Sequence, residues 1–377
     1  MNGFTKLLYL FNLNKTEAIL NLDSDADIMR RCCELAIQAA GHTAPNPLVG
    51  SVITRDGEIV GEGFHPRAGE PHAEIFALRA AGARAQGATL YVNLEPCNHT
   101  GRTPPCSDAV IKAGIRRVVI GMRDPNPNAG GGIEKLGRAG IEVVVGIEAE
   151  RCRQINEAFI HRVTHHRPFG ILKYAMTLDG KIATSTGHSA WISGPSSRQQ
   201  VHQLRSRCDA VIVGGNTVRK DNPNLTSHSE GAHNPLRVVM SRQLDLPKVA
   251  NLWETKTAPT LVFTQPDANL ETKAALIRQG VEIVAMESLT PEAVMAHLYQ
   301  RGTMCVLWEC GGMLAAEAIA AGSVQKIWAF IAPKLIGGRS APSPIGELGL
   351  TAMTEALSLR SVSITPVDQD FLVKGYL

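Results

Sequence analysis

The feature that most constrains this chain is His72-Ala73-Glu74 followed by Pro96-Cys97 and Pro105-Cys106. One imidazole and two thiols can meet around a metal only if the fold brings three separated segments to one point. They are ligands of the right kind for zinc, and a zinc held by three protein groups keeps its fourth tetrahedral position for water. Zinc brings the pKa of that water towards neutrality. Glu74, two residues after the histidine, can stand beside the metal and move protons without ligating it. Taken singly, Cys97 and Cys106 read as buried thiols, His72 as a surface residue and Glu74 as a solvated helix carboxylate. The set as a whole points to a catalytic zinc site.

The surroundings fit that site. Pro71 opens a helix with His72 and Glu74 in its first turn and Ile75, Leu78 and Ala81 on its buried face. The strand Ala88–Leu94 delivers Glu95-Pro96-Cys97. Cys106 starts a helix over Cys106–Ala113, and a helix N-terminus favours thiolate over thiol. The residues between the cysteines, Asn98–Pro105, are polar, basic and turn-rich, and are expected to form a substrate-contacting loop. A helix is predicted at Asp27–Ala40, and a hairpin from Val49–Thr54 and Glu58–Gly61 around Asp56-Gly57. Arg117–Ile120 and Glu142–Val145 are further strands, with the Pro-, Asn- and Gly-rich turn Asp124–Gly132 between them. The alternation predicts a layered α/β domain.

With 377 residues the chain is long enough for two domains. The expected division is an N-terminal extension over 1–26, a zinc domain over 27–150, a linker over 151–168 and a second α/β domain over 169–377. The linker is expected to be solvated, including its His165-His166 pair. In the second domain, strands at Gly170–Ala175, Ala210–Val213, Leu236–Met240, Thr260–Phe263, Glu282–Ala285 and Met304–Trp308 alternate with helices. Arg219–Pro223 reads as a charged turn. Gly214-Gly215 and Gly311-Gly312 each follow a strand, where backbone N–H groups can approach a phosphate. Neither matches the standard dinucleotide fingerprint. A net charge of +3 without a basic run implies no nucleic-acid partner, and no apolar run is long enough to span a membrane. Eight cysteines in a chain this long are not a disulfide framework. A cytoplasmic location is expected.

Longer motifs enclose these residues: Pro45-Asn46-Pro47-Leu48-Val49-Gly50, Gly69–Glu74 and Leu94–Cys106, then Thr177–Lys181, Ser189-Ala190-Trp191-Ile192 and Asp221–Thr226. From Asp27 to Leu377 the chain resembles the bifunctional riboflavin-biosynthesis deaminase–reductases. The resemblance implies a cytidine-deaminase-like N-terminal domain and a dihydrofolate-reductase-like C-terminal domain. It implies two steps on one pyrimidine ribosyl phosphate. A ring amino group is lost hydrolytically as ammonia, and the ribosyl chain is then reduced to a ribityl chain with NADPH. It places His72, Cys97 and Cys106 as Zn2+ ligands, Glu74 as proton shuttle and Asn46 against the pyrimidine. Ser189, Arg205, Leu225, His228 and Glu309 fall at substrate positions. Ala175, Trp191, Thr217, Asp221, Ser241, Gly311 and Gly312 fall at NADPH positions. Lys173 and Asp221 are the ionisable pair expected to serve reduction. Outside this setting Lys173 reads as a strand-end lysine and Arg205 as a surface helix arginine.

Three departures from the family pattern stand out. His228 replaces an arginine that helps bind the substrate phosphate in many members. Cys310 interrupts a Glu-Gly-Gly-like turn. The Asp124–Gly132 turn is one residue short, which is expected to disturb a loop beside the deaminase site. Three alternatives compete with the bifunctional reading. Intact motifs in both halves argue against a relative with one decayed activity. A structural zinc usually has four protein ligands, not three plus a glutamate, which argues against a zinc-stabilised scaffold. The missing basic patch argues against deamination of nucleic-acid bases. A homo-oligomer is expected.

Overall fold

The computed structural model describes residues 24–99, 104–231 and 233–377. The expected extension over 1–26 therefore lies almost entirely outside the described residues, as do Thr100–Thr103 of the loop between the cysteines.

The first unit runs α1 (Asp25–Ile37), β1 (Gly50–Arg55), β2 (Glu58–Phe64), α2 (Ala73–Ala81), β3 (Thr89–Leu94), α3 (Cys106–Lys112), β4 (Arg117–Met122), α4 (Gly132–Arg138) and β5 (Glu142–Val145). Ser24 caps α1 by accepting from the Asp27 N–H, and Ile28, Met29, Cys32, Cys33, Leu35 and Ala36 form its buried face. The strands form one sheet in the order β2-β1-β3-β4-β5, antiparallel across β2-β1-β3 and parallel across β3-β4-β5. Glycines on β2 set where α2 lies. A Cβ on Gly61 would stand 2.3 Å from the Ala77 carbonyl oxygen, and one on Gly63 would stand 2.7 Å from the Ala77 nitrogen. Only glycine lets α2 sit this close, and that approach brings His72 and Glu74 to the sheet's edge.

The segment expected to be a solvated linker is helical: α5 (Ala149–Ile155) and α6 (Glu157–His165). Cys152 and Phe159 are buried in the core of the first unit. Towards the second unit, Glu157 pairs with Lys326 at 2.7 Å, and Arg162 donates to the Thr303 carbonyl at 2.8 Å.

The second unit comprises β6 (Phe169–Thr177), α7 (Pro195–Arg205), β7 (Ala210–Gly214), α8 (Gly215–Asp221), β8 (Leu236–Met240), β9 (Thr260–Thr264), α9 (Leu270–Arg278), β10 (Glu282–Ala285), α10 (Pro291–Gln300), β11 (Cys305–Trp308), α11 (Gly312–Ala320), β12 (Lys326–Ala332), β13 (Arg360–Val367) and β14 (Asp370–Tyr376). They build a sheet in the order β10-β9-β8-β7-β11-β6-β12-β14-β13, parallel as far as β12. Successive residues of the central strands alternate between two cores. Leu172, Ile212, Val238 and Phe263 lie on one face, and Ile171, Val211, Val239 and Val262 on the other. Burial on both faces explains why these strands read as continuous apolar runs. Arg219–Asp221, expected in a turn, is instead the last turn of α8. Asn222 follows in the left-handed region at φ 40°. Among the described residues no helix is long and apolar enough to cross a membrane.

Candidate active sites

The three expected zinc ligands converge. His72 is the N-cap of α2, Cys97 follows β3, and Cys106 is the first residue of α3. His72 Nδ1 lies 3.6 Å from Cys97 Sγ and 3.3 Å from Cys106 Sγ. Tetrahedral zinc with ordinary Zn–S and Zn–N bonds sets neighbouring ligand atoms about 3.5 Å apart, so the triangle has the right size. Its protonation also suits a cation. The hydrogen bond from Cys106, helped by one to His72 and opposed by burial, brings the Cys97 thiol down to about 4. The Cys97 thiolate in turn pushes Cys106 up. Glu74, in the first turn of α2, is 3% exposed, and its Oε2 has no hydrogen-bond partner. Burial raises its carboxyl to about 7. A buried carboxylate oxygen without a partner, beside three metal-ligand atoms, fits a group that hands protons to a reactant.

His72, Glu74 and Cys97 line a cavity of about 330 Å3 at the carboxyl ends of the parallel strands β3 and β4, with Asn46 in its wall. Two residues that sequence reasoning missed shape it. His65, 2% exposed, has Nδ1 3.0 Å from the Pro71 carbonyl and Nε2 3.0 Å from Asn46 Nδ2. The carbonyl can only accept, so Nδ1 carries the proton and Nε2 accepts from the Asn46 amide. That leaves Asn46 Oδ1 as the atom free to accept from a substrate N–H. Glu95, 5% exposed, accepts from the N–H groups of Asp124 at 3.2 Å, Gly131 at 3.0 Å and Ile133 at 3.2 Å. The Asp124–Gly132 turn is thus fastened to the cavity wall. A Cβ on Gly132 would stand 1.9 Å from the Pro96 carbonyl oxygen, so this approach requires glycine. Phe159, Arg162 and Val163 of α6 also line the cavity.

In the second unit Ser241 follows β8, α8 with Thr217 follows β7, Glu309 follows β11 and Lys173 lies in β6, and these four strands are neighbours in the sheet. Glu309, just past β11, takes Arg205 of α7 in a bidentate pair, Nε–Oε1 2.6 Å and Nη2–Oε2 3.0 Å. Lys173 of β6 approaches the same carboxylate at 3.9 Å. Burial works against charge on Glu309, but Arg205 and then Lys173 outweigh it and hold its pKa below the usual range. Burial also lowers Lys173, against the pull of Glu309. Lys173 is therefore ion-paired with Glu309. Asp221 is exposed and makes no ion pair among the described residues, and desolvation raises its pKa.

The segment after α8 is strained. Asn222, Leu225, His228 and Ser229 have φ of 40°, 53°, 50° and 65°, a concentration of left-handed non-glycine residues of the kind found at ligand sites. The Leu225 side chain is buried in the core, which leaves its main chain for a ligand. His228 is exposed and stacks on His202 at 4.2 Å. Ser189 is half-buried, and Trp191 is 71% exposed with Arg198 over its ring at 4.7 Å. Ala175 pairs with Phe330 of β12, and Thr217 lies in the first turn of α8. Gly311 caps α11 with open space where a side chain would be, and Gly312 begins the helix. A glycine facing open space at the start of a nine-residue helix suits a dinucleotide pyrophosphate. Cys310 is packed against the sheet core, and burial raises its thiol to about 12.

Residues 22–122 match the cytidine and deoxycytidylate deaminase zinc-binding region, and residues 168–373 match the RibD C-terminal domain. The riboflavin biosynthesis protein RibD of Synechocystis is 61% identical over 94% of this chain and 96% of its own length. The chain belongs to the RibD family. A RibD-family protein of Thermotoga maritima, described as a diaminohydroxyphosphoribosylaminopyrimidine deaminase/5-amino-6-(5-phosphoribosylamino)uracil reductase, superposes with a TM-score of 0.84. It is 39% identical, over 93% of this chain and 98% of its own. Maize PYRR, a chloroplastic riboflavin biosynthesis protein, is 46% identical over 94% of this chain and 60% of its own length. As a RibD-family member, the chain is a bifunctional riboflavin-biosynthesis enzyme, with a zinc-dependent deaminase half and an NADPH-dependent reductase half.

Proposed function

We propose that the zinc half deaminates the diaminohydroxy pyrimidine ribosyl phosphate. The second half then reduces the product, 5-amino-6-(5-phosphoribosylamino)uracil, to its ribityl counterpart. The observation that carries this reading is that one chain holds both a three-donor metal triangle with a partnerless buried glutamate and a buried Lys173–Glu309–Arg205 network.

His72, Cys97 and Cys106 hold zinc, which when bound makes hydroxide available at neutral pH. Glu74 takes a proton from the attacking group and delivers it to the departing amine, which leaves as ammonia. Asn46, oriented by His65, accepts from a ring N–H and sets the pyrimidine's register. In the second half NADPH, when bound, supplies the hydride. As the ribosyl ring C–O bond opens, the oxygen must gain a proton, and Lys173 is the ammonium that donates it. Glu309 keeps Lys173 charged and fixes Arg205. Arg205, Ser189, His228 and the Leu225 main chain bind substrate. Ala175, Trp191, Thr217, Asp221, Ser241, Gly311 and Gly312 line the NADPH site.

The protein acts on this small molecule in the cytoplasm, without a nucleic-acid partner, as a homo-oligomer. Support for self-association comes from β13, an edge strand exposed over all but its last residue, with Val362 and Ile364 52% and 65% exposed. Exposed apolar edges of this kind are usually covered. The test of the whole reading is one reaction monitored for ammonia and NADPH together. Ammonia release followed by equimolar NADPH oxidation supports it, and NADPH oxidation without ammonia refutes it.

A further inference from the structure

The helix α6 is registered on the segment that carries Asn46. Its N-cap Asn156, 2% exposed, accepts through Oδ1 from the Leu48 N–H at 2.8 Å and donates through Nδ2 to the Leu48 carbonyl at 2.9 Å. From that anchor the helix advances about 9 Å to Arg162 at the usual rise per residue. Phe159, Arg162 and Val163, spaced at three and four, share the face that lines the deaminase cavity. Two groups of the second unit orient the guanidinium. Nη1 donates to the Thr303 carbonyl at 2.8 Å, and Cζ lies 4.0 Å from the centroid of the Tyr299 ring.

Neither partner is an anion, and Arg162 makes no ion pair among the described residues. Asp209, the carboxylate whose field reaches it, already accepts from the N–H groups of Met304 and Cys305, each at 2.8 Å. Burial lowers the pKa of Arg162, and Tyr299 and Asp209 do not make up the difference. A guanidinium has five N–H donors, so several remain after Thr303 has taken one. Among the described residues that line the cavity, Arg162 is the only lysine or arginine, facing the carboxyl groups of Glu74, Glu95 and Asp124. A phosphate dianion entering such a cavity needs a cation, and an arginine held in place without a counter-ion is a strong partner for it. We infer that Arg162 binds the substrate's phosphate in the deaminase cavity and sets the preference for a phosphorylated substrate. The inference rests on the reading that the first unit deaminates a pyrimidine ribosyl phosphate.

The test is steady-state ammonia release by the zinc-loaded full chain and by Arg162→Ala, with the phosphorylated substrate and with its dephosphorylated counterpart. Zinc content and thermal melting check the site and the fold. Arg162→Gln, which keeps a donor for the Thr303 carbonyl, is measured alongside in case the alanine variant loosens α6. In both variants the ratio of kcat/KM between the phosphorylated and dephosphorylated substrates should fall at least about tenfold, chiefly through KM, the loss of a charge-assisted hydrogen bond. An unchanged ratio would overturn the inference and leave the deaminase reading standing. Equal losses on both substrates would make Arg162 a packing residue between the units and overturn it as well. A zinc-loaded wild type that releases no ammonia from the phosphorylated substrate would refute the reading of the deaminase site, and the inference with it.

Discussion

Glu309→Gln is the most informative single change in the reductase half. Among the described residues Glu309 is the carboxylate that answers both Arg205 and Lys173. Glutamine keeps the shape and can accept one N–H, but it leaves two buried cations without a counter-charge. Removing one partner of a buried pair costs about 3–5 kcal/mol, and a retained hydrogen bond returns about 1 kcal/mol. The net loss is about 2–4 kcal/mol. In a unit of this size each kcal/mol lowers Tm by roughly 2–4 °C, so the reductase transition should fall by about 4–16 °C in calorimetry. The pH dependence has a sign. The folded pKa of Glu309 lies below its reference value of 4.5, so its stabilisation is present above that pH. It is lost as pH falls through the folded value, and the variant should lack that acid limb. Adding Arg205→Met removes one stranded cation and should recover part of the loss. Reduction of supplied deaminated intermediate should fall at least tenfold, since Lys173 loses the anion that keeps it charged. A variant that melts within about 2 °C of wild type and reduces within twofold would refute the network's role.

Three further outcomes follow from the geometry. Glu74→Gln should keep zinc and lose about two to four orders of magnitude in deamination, and near-normal ammonia release from zinc-loaded variant would remove Glu74 from the chemistry. His65→Leu leaves the Asn46 amide without its acceptor, so the KM for deamination should rise several-fold at unchanged zinc content, and an unchanged KM would mean that Asn46 is oriented by something else. Burial lowers Lys173 from its reference value of 10.5, so the ammonium, and with it kcat/KM for reduction, should be lost on the alkaline side at a pH below 10.5. A profile flat to that pH would argue against Lys173 as the proton donor.

The zinc triangle was legible in the sequence because each ligand sits where local rules place it, at a helix start or a strand end. The alternation of strands and helices likewise announced the layered sheets. The partner of Lys173 was not legible, since Glu309 reaches it only through the parallel pairing of β6 with β11. His65 was missed because a lone histidine gives no signal until Pro71 and Asn46 flank it in space. α5 and α6 were hidden by their shortness and charge, with few apolar positions to mark a period, and their stability comes from packing between the two units. α8 was read as a turn for the same reason: seven residues ending in Arg219-Lys220-Asp221 hold as a helix chiefly by tertiary contacts, with Val218 buried.

Of the chain's two chemistries, only the first should depend on metal. The most direct test is to strip zinc with a chelator and measure both half-reactions on the same sample, supplying the deaminated intermediate for the second. The prediction is that ammonia release stops and returns with added zinc, while NADPH oxidation on the supplied intermediate continues near its original rate. Parallel loss of both activities, or ammonia release that survives complete removal of zinc, would contradict it.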